Sequence, residues 1–343
     1  MKLLEVTIKP RTGFGTPLKG DTVFGHFCWQ AAHDPELLNG GLDRWISCYE
    51  EKPFAVFSTA FPKLNQKGHR RYALKRPDLP LARLFPAAAG GKRELMRRRK
   101  ENAGKKWLLV PATLDISLAE TNFVSDAELL DMAFGEAADD TKRAIRGKGR
   151  RSYITADVRP HNTINRMTMT TGEGRFAPYE ANLLHYFPET ELALFVLYDE
   201  DAVDADRIRS GLQRIGSFGF GRDASTGSGR FDLADCTERE LPAADSGNAR
   251  YALAPVLPGE GPCGDLFFTP FTRFGRHGDL MATASNPFKN PVIMADEGAV
   301  FIRDENQTCD KPYLGRPATG VSISQPRAVV QGYAPGLPFK LEI

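Results

Sequence analysis

Cysteine is scarce: 343 residues hold five, Cys28, Cys48, Cys236, Cys263 and Cys309. The number is odd and no two lie close together, so neither a disulfide framework nor a paired-cysteine zinc site is supported. A reducing, cytoplasmic setting is the expectation. No apolar run approaches the ~18 residues of a membrane span. The opening MKLLEVTIKPRTGFG alternates and then turns, without the apolar core of a secretory signal. HExxH, GxSxG and clustered His/Cys patterns are missing, which removes the commonest signatures of metal-dependent and serine hydrolases. No metal and no cofactor is expected.

Net charge is also small, at +2. Its distribution is uneven. Residues 92–106, KRELMRRRKENAGKK, carry +6, and residues 142–166 carry +7, leaving −11 for the remainder. Positive charge concentrated in one region of a nearly neutral chain suits a polyanion partner better than a uniform basic surface does. Hydrophobic residues make up 41% of the chain, enough for sizeable cores, and the length suggests roughly two domains.

Glycine is abundant, and nowhere more than in FGFGRDASTGSGRF, from Phe218 to Phe231. Glycine permits positive φ and close backbone approach. Successive N–H groups in such bends can also form an anion-binding concavity. Two nucleotide signatures fail here. GxxxxGK[ST] lacks its lysine, and GxGxxG would need glycine where Ala224 stands. What remains is a glycine loop flanked by Arg222 and Arg230 and carrying Ser225, Thr226 and Ser228, an inventory that fits a phosphodiester backbone.

The apolar pattern gives an outline. LLEVTIKP alternates Leu4, Val6 and Ile8 as a half-buried strand. A Gly/Pro loop follows, and Asp21 or Thr22 is placed to cap the helix around VFGHFCWQAAH. FAVFSTAFPKL (54–64) and WLLVPATLDI (107–116) read as strands, and SDAELLDMAFGEA (125–137) as a helix, with Asp139–Asp140 taken as its solvated end. ELALFVLYD (191–199) is apolar nearly throughout and is expected at the centre of a sheet. DADRIRSGLQRIG recurs at Ile208, Leu212 and Ile215 as an amphipathic helix. Beyond about 246 come short strands punctuated by Pro and Gly. Strand–helix–strand units at the start and at 191–234 are the parts of a split βαβ, ferredoxin-like sheet. The expected class is α+β, with a first domain over 1–245 interrupted by an insertion at about 62–185, and a β-rich second domain over 246–343.

Two further stretches share the character of the glycine loop. GFGTPLKGDTVFGH sets Gly13, Gly15 and Gly20 around Lys19 just before a helix, whose N-terminus attracts anions. His26 lies in that helix and is the candidate proton acceptor if the chain cleaves RNA without metal. VRPHNTINRMTMTTGEG offers Arg159, His161, Asn162, Asn165 and Arg166 for phosphates, ribose and base edges. Phe176 and Tyr179 follow as stacking platforms.

Together GFGTPLKGDTVFGHFCW (13–29), INRMTMTTGEG with FAPY (164–179), GFGRDASTGSGRF (219–231) and, more weakly, NPVIMADEGAVF (290–301) resemble the RAMP superfamily of CRISPR-associated proteins. Within it the likeness is to the fourth Csm subunit of type III-A effector complexes, in the Cas-five group. The resemblance implies two ferredoxin-like (RRM-like) units with a hairpin thumb from the first. It implies a non-catalytic subunit in antiviral defence that holds the repeat-derived 5′ tag of the CRISPR RNA. The implied partners are the large Cas-ten polymerase-like subunit and the adjacent backbone RAMP subunit of the third Csm type. Carried over by motif position, Gly219, Phe220, Gly221, Arg222, Ser225, Thr226, Gly227, Gly229 and Arg230 contact the tag. Lys19 and His26 face it, and Arg159, His161, Asn162 and Arg166 belong to the gripping thumb. Two departures stand out: Met169 occupies a place where the family has glycine, and RRRK at 97–100 is not a family pattern.

Two alternatives stay open at this level. One is a metal-independent repeat endoribonuclease of the Cas-six kind acting through His26. The other is an interaction scaffold whose basic segments meet acidic proteins.

Overall fold

The computed structural model describes residues 1–66, 68–86, 91–146, 152–243, 247–259, 264–303 and 311–342. The chain opens with strand β1 (Lys2–Pro10), helix α1 (Gly20–His33) and helix α2 (Leu42–Ser47). Strands β2 (Ala55–Phe57), β3 (Phe61–Gln66) and β4 (His69–Lys75) follow, then helices α3 (Leu81–Leu84) and α4 (Lys92–Gly104) and strands β5 (Lys105–Pro111) and β6 (Phe123–Ser125). Helices α5 (Asp126–Glu136) and α6 (Asp139–Ile145) lead to the hairpin of β7 (Ile154–His161) and β8 (Tyr179–Tyr186). Strand β9 (Glu191–Tyr198), helix α7 (Ala205–Phe218) and strand β10 (Phe231–Arg239) complete the first part. The rest is strands: β11 (Ala249–Ala252), β12 (Leu266–Phe267), β13 (Pro270–Arg273), β14 (Val292–Ala295), β15 (Val300–Ile302), β16 (Tyr313–Gly315) and β17 (Tyr333–Phe339).

The main sheet runs β10-β1-β9-β3-β4-β5-β6, with β2 also on β9. Its strand pairs are antiparallel. Strand β9 is interior, as its continuous apolar sequence requires: residues 192–198 are all buried. Helix α7 starts on Asp204, whose carboxylate accepts the Arg207 N–H, and buries Ile208, Leu212 and Ile215. Helix α5 starts on a capping box, with Ser125 and Glu128 satisfying each other's backbone N–H. Its Leu129 and Ala133 pack with Leu64, Ala73, Leu109 and Val124 into a second core.

Several expectations need correction. Strand β1 is not half-buried: Glu5 and Thr7 are as covered as Leu4, Val6 and Ile8. Its polar face survives burial because Glu5 pairs with Lys63 (2.9 Å) and Arg239 (2.6 Å) and accepts the Tyr72 hydroxyl. The stretch 54–64 is two strands, parted where Thr59 turns its N–H to Leu253 and Ala60 to Leu18. Neither Asp21 nor Thr22 caps α1; the cap position is Lys19, and Asp21 instead holds Arg273 in a bidentate pair. Asp139 and Asp140 do not end a helix but open α6, where carboxylates complement the helix dipole.

The segment expected as an insertion divides in two. Strands β3 to β6 extend the main sheet as a meander, and the two-stranded β7–β8 hairpin stands apart from it. Residues 147–151, within the second basic run, lie outside the described residues.

After residue 246 a five-stranded sheet, β12-β15-β11-β17-β16, and the pair β13-β14 carry the structure. Among the described residues of this part there is no α-helix, so the helices of a second ferredoxin-like unit are not seen there. Packing is continuous across the expected boundary: Tyr251, Leu253, Leu337 and Phe339 share one core with Leu3, Val56, Phe57 and Leu197. Gln331, fully buried, mimics a strand by accepting the Phe57 N–H (2.9 Å) and donating to its carbonyl (2.8 Å).

Candidate nucleic-acid interface

The glycine loop interlocks with the loop that follows β1. Gly229 N–H donates to the Gly13 carbonyl (2.8 Å), and both Arg11 and Thr12 N–H groups reach the Arg230 carbonyl. Two threonine hydroxyls complete the lock. Thr16 accepts the Arg222 N–H (3.0 Å) and Thr12 accepts the Arg230 N–H (2.9 Å). The glycines serve this close approach. A Cβ on Gly15 would stand 2.7 Å from the Arg222 carbonyl oxygen, and one on Gly229 would stand 2.2 Å from that of Phe220. Gly219, Gly221, Gly227 and Gly229 also hold positive φ, with Asp223 joining them at φ 63°.

This corrects the expectation of bare amides. The bends turn most of the loop's N–H groups inward: Phe220 to Gly229, Gly221 to His26, Gly227 to Ala224, Ser228 to Asp223. Phe220 is fully buried and belongs to the core. What faces outward is side chain. Arg222, Ser225, Thr226 and Arg230 are exposed. Arg222 is partly engaged, with Asp223 (3.2 Å) and with the Asn182 carbonyl (2.7 Å); Arg230 makes no ion pair among the described residues.

The base of the β7–β8 hairpin joins the same corner. Phe14 and Leu184 exchange backbone hydrogen bonds of 2.9 Å, and Gly13 lies against the His185 ring. Through Asn182, on β8, the Arg222 guanidinium touches the hairpin directly. Thr12, Thr16 and Asn182 were not singled out by the sequence reading. Threonines bracketing the glycine pair in TGFGT were the available signal.

His26 supports the loop from below. Its Nε2 accepts the Gly221 N–H at 3.0 Å, and its ring lies 4.7 Å from that of Phe220. Acceptance at Nε2 leaves the ring proton on Nδ1. Burial disfavours the cation and holds the imidazole down to about 4.

Lys19 does not face the corner. It is buried, and its ammonium is clamped between Asp296 and Glu297 (2.6 Å to the latter), over the Phe271 ring. Asp296 also takes Lys75, at 3.2 Å. Burial raises both carboxyls, but hydrogen bonding to Glu297 and the two lysines bring Asp296 down to about 2. Glu297, the more deeply buried and beside the Asp296 charge, is pushed up to about 7. The NPVIMADEGAVF stretch thus supplies a clamp between the two parts of the chain.

Most of the outer hairpin is exposed, but Asn165, Phe176 and Ala177 are half-buried, and the Phe176 ring carries the Arg175 guanidinium 5.0 Å from its centroid. His161 stacks on Tyr179 directly across the strands (ring centroids 5.4 Å apart, 15° between planes). Arg159 pairs with Asp157, at 2.8 Å on its own strand. Asn162 and Arg166 lie in the connecting loop, where Met167 is 94% and Met169 75% exposed, an arrangement that leaves apolar surface for something outside the chain. The structure therefore brings Arg222, Arg230, Ser225, Thr226 and the hairpin base to one corner and sets Arg159, His161, Asn162 and Arg166 along the hairpin leading away from it. Among the described residues no group of three His, Cys, Asp or Glu side chains is placed to hold a metal ion. No helix among them is long and apolar enough to cross a membrane.

No protein-family model matches the chain, and no curated protein matches it in sequence. Solved structures do match in fold. One is a chain of a Csm1–Csm4 cassette in complex with pppApA, with a TM-score of 0.57, 14% identity and coverage of 100% of this chain and 99% of that one. A second comes from the same type of cassette in complex with AMPPNP, with a TM-score of 0.55, 14% identity and full coverage of both chains. A third, from a Csm3–Csm4 subcomplex of the type III-A CRISPR-Cas interference complex, gives a TM-score of 0.54, 11% identity and 99% coverage of both. The end-to-end fold likeness agrees with the resemblance carried by the glycine loops.

Proposed function

We propose that this chain is the fourth Csm-type subunit of a type III CRISPR effector complex, a non-enzymatic protein that holds the 5′ tag of the CRISPR RNA. The observation that carries the reading is the interlocked corner. Two glycine loops and the hairpin base are locked to one another by backbone and threonine hydrogen bonds, and they present Arg222, Ser225, Thr226 and Arg230 outward. Such side chains recognise a sugar–phosphate strand. The strand order β10-β1-β9-β3, with α1 and α7 as its two connections, is read as a ferredoxin-like unit, and the β7–β8 hairpin as its thumb. From the corner the strand follows this hairpin, with Tyr179, His161 and the exposed methionines available to unpaired bases. Docking to the large Cas-ten subunit and to a third-Csm-type neighbour completes the proposal, supported by the complexes in which the similar folds occur.

The endoribonuclease reading is not favoured. His26 spends Nε2 on the Gly221 amide and is held neutral, so it supports the loop rather than standing free beside a ribose hydroxyl. The test is salt-dependent RNA binding by the purified chain. Neutralising ~4 phosphates gives a slope of log affinity against log salt near −3 for single-stranded RNA. A flat response contradicts the reading. Metal-free cleavage of repeat RNA that vanishes in His26→Ala replaces it with the enzymatic one.

A further inference from the structure

Helix α4 lies on the surface with no buried residue. At 100° per residue its side chains sort sharply. Lys92, Arg93, Arg99 and Lys100 fall within one arc of about 120°, with Met96 at its centre. Glu94 and Glu101 fall on the opposite side, where they take Arg98 (3.1 Å) and Arg97 (3.7 Å). The four cations of the first arc make no ion pair among the described residues. Met96 between them is 65% exposed.

The helix is nevertheless fixed in place. The Arg76 guanidinium donates to the carbonyls of Asn102 (3.2 Å), Ala103 (3.3 Å) and Lys105 (2.8 Å), closing the C-terminal turn. A 13-residue helix with nothing packed on it is marginal in water, so this cap holds the cationic face in a defined position.

Topology sets the distance from the corner described above. Strand β5 runs parallel to β1, because three strands separate them in an antiparallel sheet. The glycine loops follow the C-terminal end of β1, whereas α4 precedes the N-terminal end of β5. The two sites therefore lie at opposite ends of the sheet and four strand spacings apart, on the order of 30 Å.

We propose that the Lys92/Arg93/Arg99/Lys100 face of α4 is a second phosphate-binding site, engaged by RNA longer than the corner itself holds. The proposal rests on the RNA-binding reading and extends it to a separate surface. The chemistry favours a nucleic-acid backbone over the other anionic partners. A membrane-surface helix needs a broad apolar face, and α4 offers only Leu95, Met96 and the small Ala103. A protein interface is built on well-packed anchors; α4 offers arginines and one methionine but no aromatic residue, and its Lys92, Glu94, Lys100 and Glu101 are of types depleted at interface cores. Flexible cations around one thin apolar side chain suit phosphates and sugar edges.

The experiment uses the full chain, with every cation of the arc replaced in one variant: Lys92→Gln, Arg93→Gln, Arg99→Gln and Lys100→Gln. Gln keeps helix propensity. Fluorescence anisotropy is read with oligouridylates of ~6 and ~40 nucleotides, one shorter and one longer than a single binding groove. The expected result is at least a ~10-fold loss for the long RNA at ~0.1 M salt, a salt slope shallower by about 3, and a short-RNA affinity unchanged. An unchanged long-RNA affinity and slope overturns the proposal, whether or not the variant loses capture of an acidic protein. If the wild type binds the long RNA alone and the variant loses it, this site stands while the corner reading falls. If the wild type binds neither, both fall.

Discussion

The imidazole of His26 and the backbone N–H of Gly221 meet at 3.0 Å, a side chain in the first helix holding up a loop that begins at residue 219. The bond needs a neutral ring, and burial supplies one by lowering the imidazole to about 4. His26→Ala leaves the amide without its acceptor and the Phe220 ring without its neighbour. A stability loss of about 2–3 kcal/mol is expected, measured by denaturant unfolding. The pH dependence has a definite sign. The folded state binds fewer protons than the unfolded one between about 4 and 6.5, so this contribution is complete above 6.5 and is lost as pH falls toward 4. In His26→Ala that part of the slope disappears.

Lys19 gives a prediction of the opposite kind. Its replacement by Met leaves Asp296 and Glu297 buried without their shared cation, and about 3–5 kcal/mol of stability is expected to go. RNA affinity at the corner is expected to hold, because the ammonium does not reach it. A Lys19→Met variant that stays stable and loses RNA binding contradicts the placement.

Glu297 should bend the pH profile against His26. Its carboxyl, pushed up to about 7, keeps a proton that the unfolded chain releases near its ordinary value of 4.5. Stability from this group is complete below 4.5 and is lost as pH rises through 7. Thermal melts of Glu297→Gln between pH 5 and 8 are expected to show less decline than those of the wild type. A decline that is unchanged or steeper contradicts the assignment.

Two glycines of the same loop separate backbone conformation from close packing. At Gly227 a Cβ meets nothing within 4 Å, yet φ is +95°, so Gly227→Ala is expected to cost roughly 1–2 kcal/mol from conformation alone. At Gly229 the Cβ also collides with the Phe220 backbone, so Gly229→Ala is expected to cost about 3 kcal/mol or more and to loosen the corner. Equal melting temperatures for the two variants contradict the interlocking of the loops.

Much of this was legible in local pattern. The interior position of β9 followed from an unbroken apolar run, helix α7 from Ile208, Leu212 and Ile215, and helix α5 from a stretch that opens Ser-Asp-Ala-Glu. The exposed Arg222–Arg230 bend was legible too, since polar residues between glycines have little to pack on. Long-range partners were not. Nothing local in LKGD tells that Lys19 meets carboxylates some 277 positions away. Glu5 and Thr7 looked solvent-facing because a strand pattern does not announce the Lys63 and Arg239 that neutralise its polar face. Glycine content alone predicts amides freed for an anion. Their neighbour was another loop of the same chain, a distinction that depends on tertiary approach rather than composition. Strands β4 to β6 looked like inserted structure because alternation does not reveal which sheet a strand joins.

The most direct measurement is to purify the chain from its own cells, irradiate it to crosslink bound RNA, and map both the RNA and the modified peptides. The expected result is a set of small RNAs with a constant 5′ end, crosslinked within residues 219–230 and along the β7–β8 hairpin. RNA that is absent, or crosslinks that avoid the Arg222–Arg230 corner altogether, contradicts the central claim.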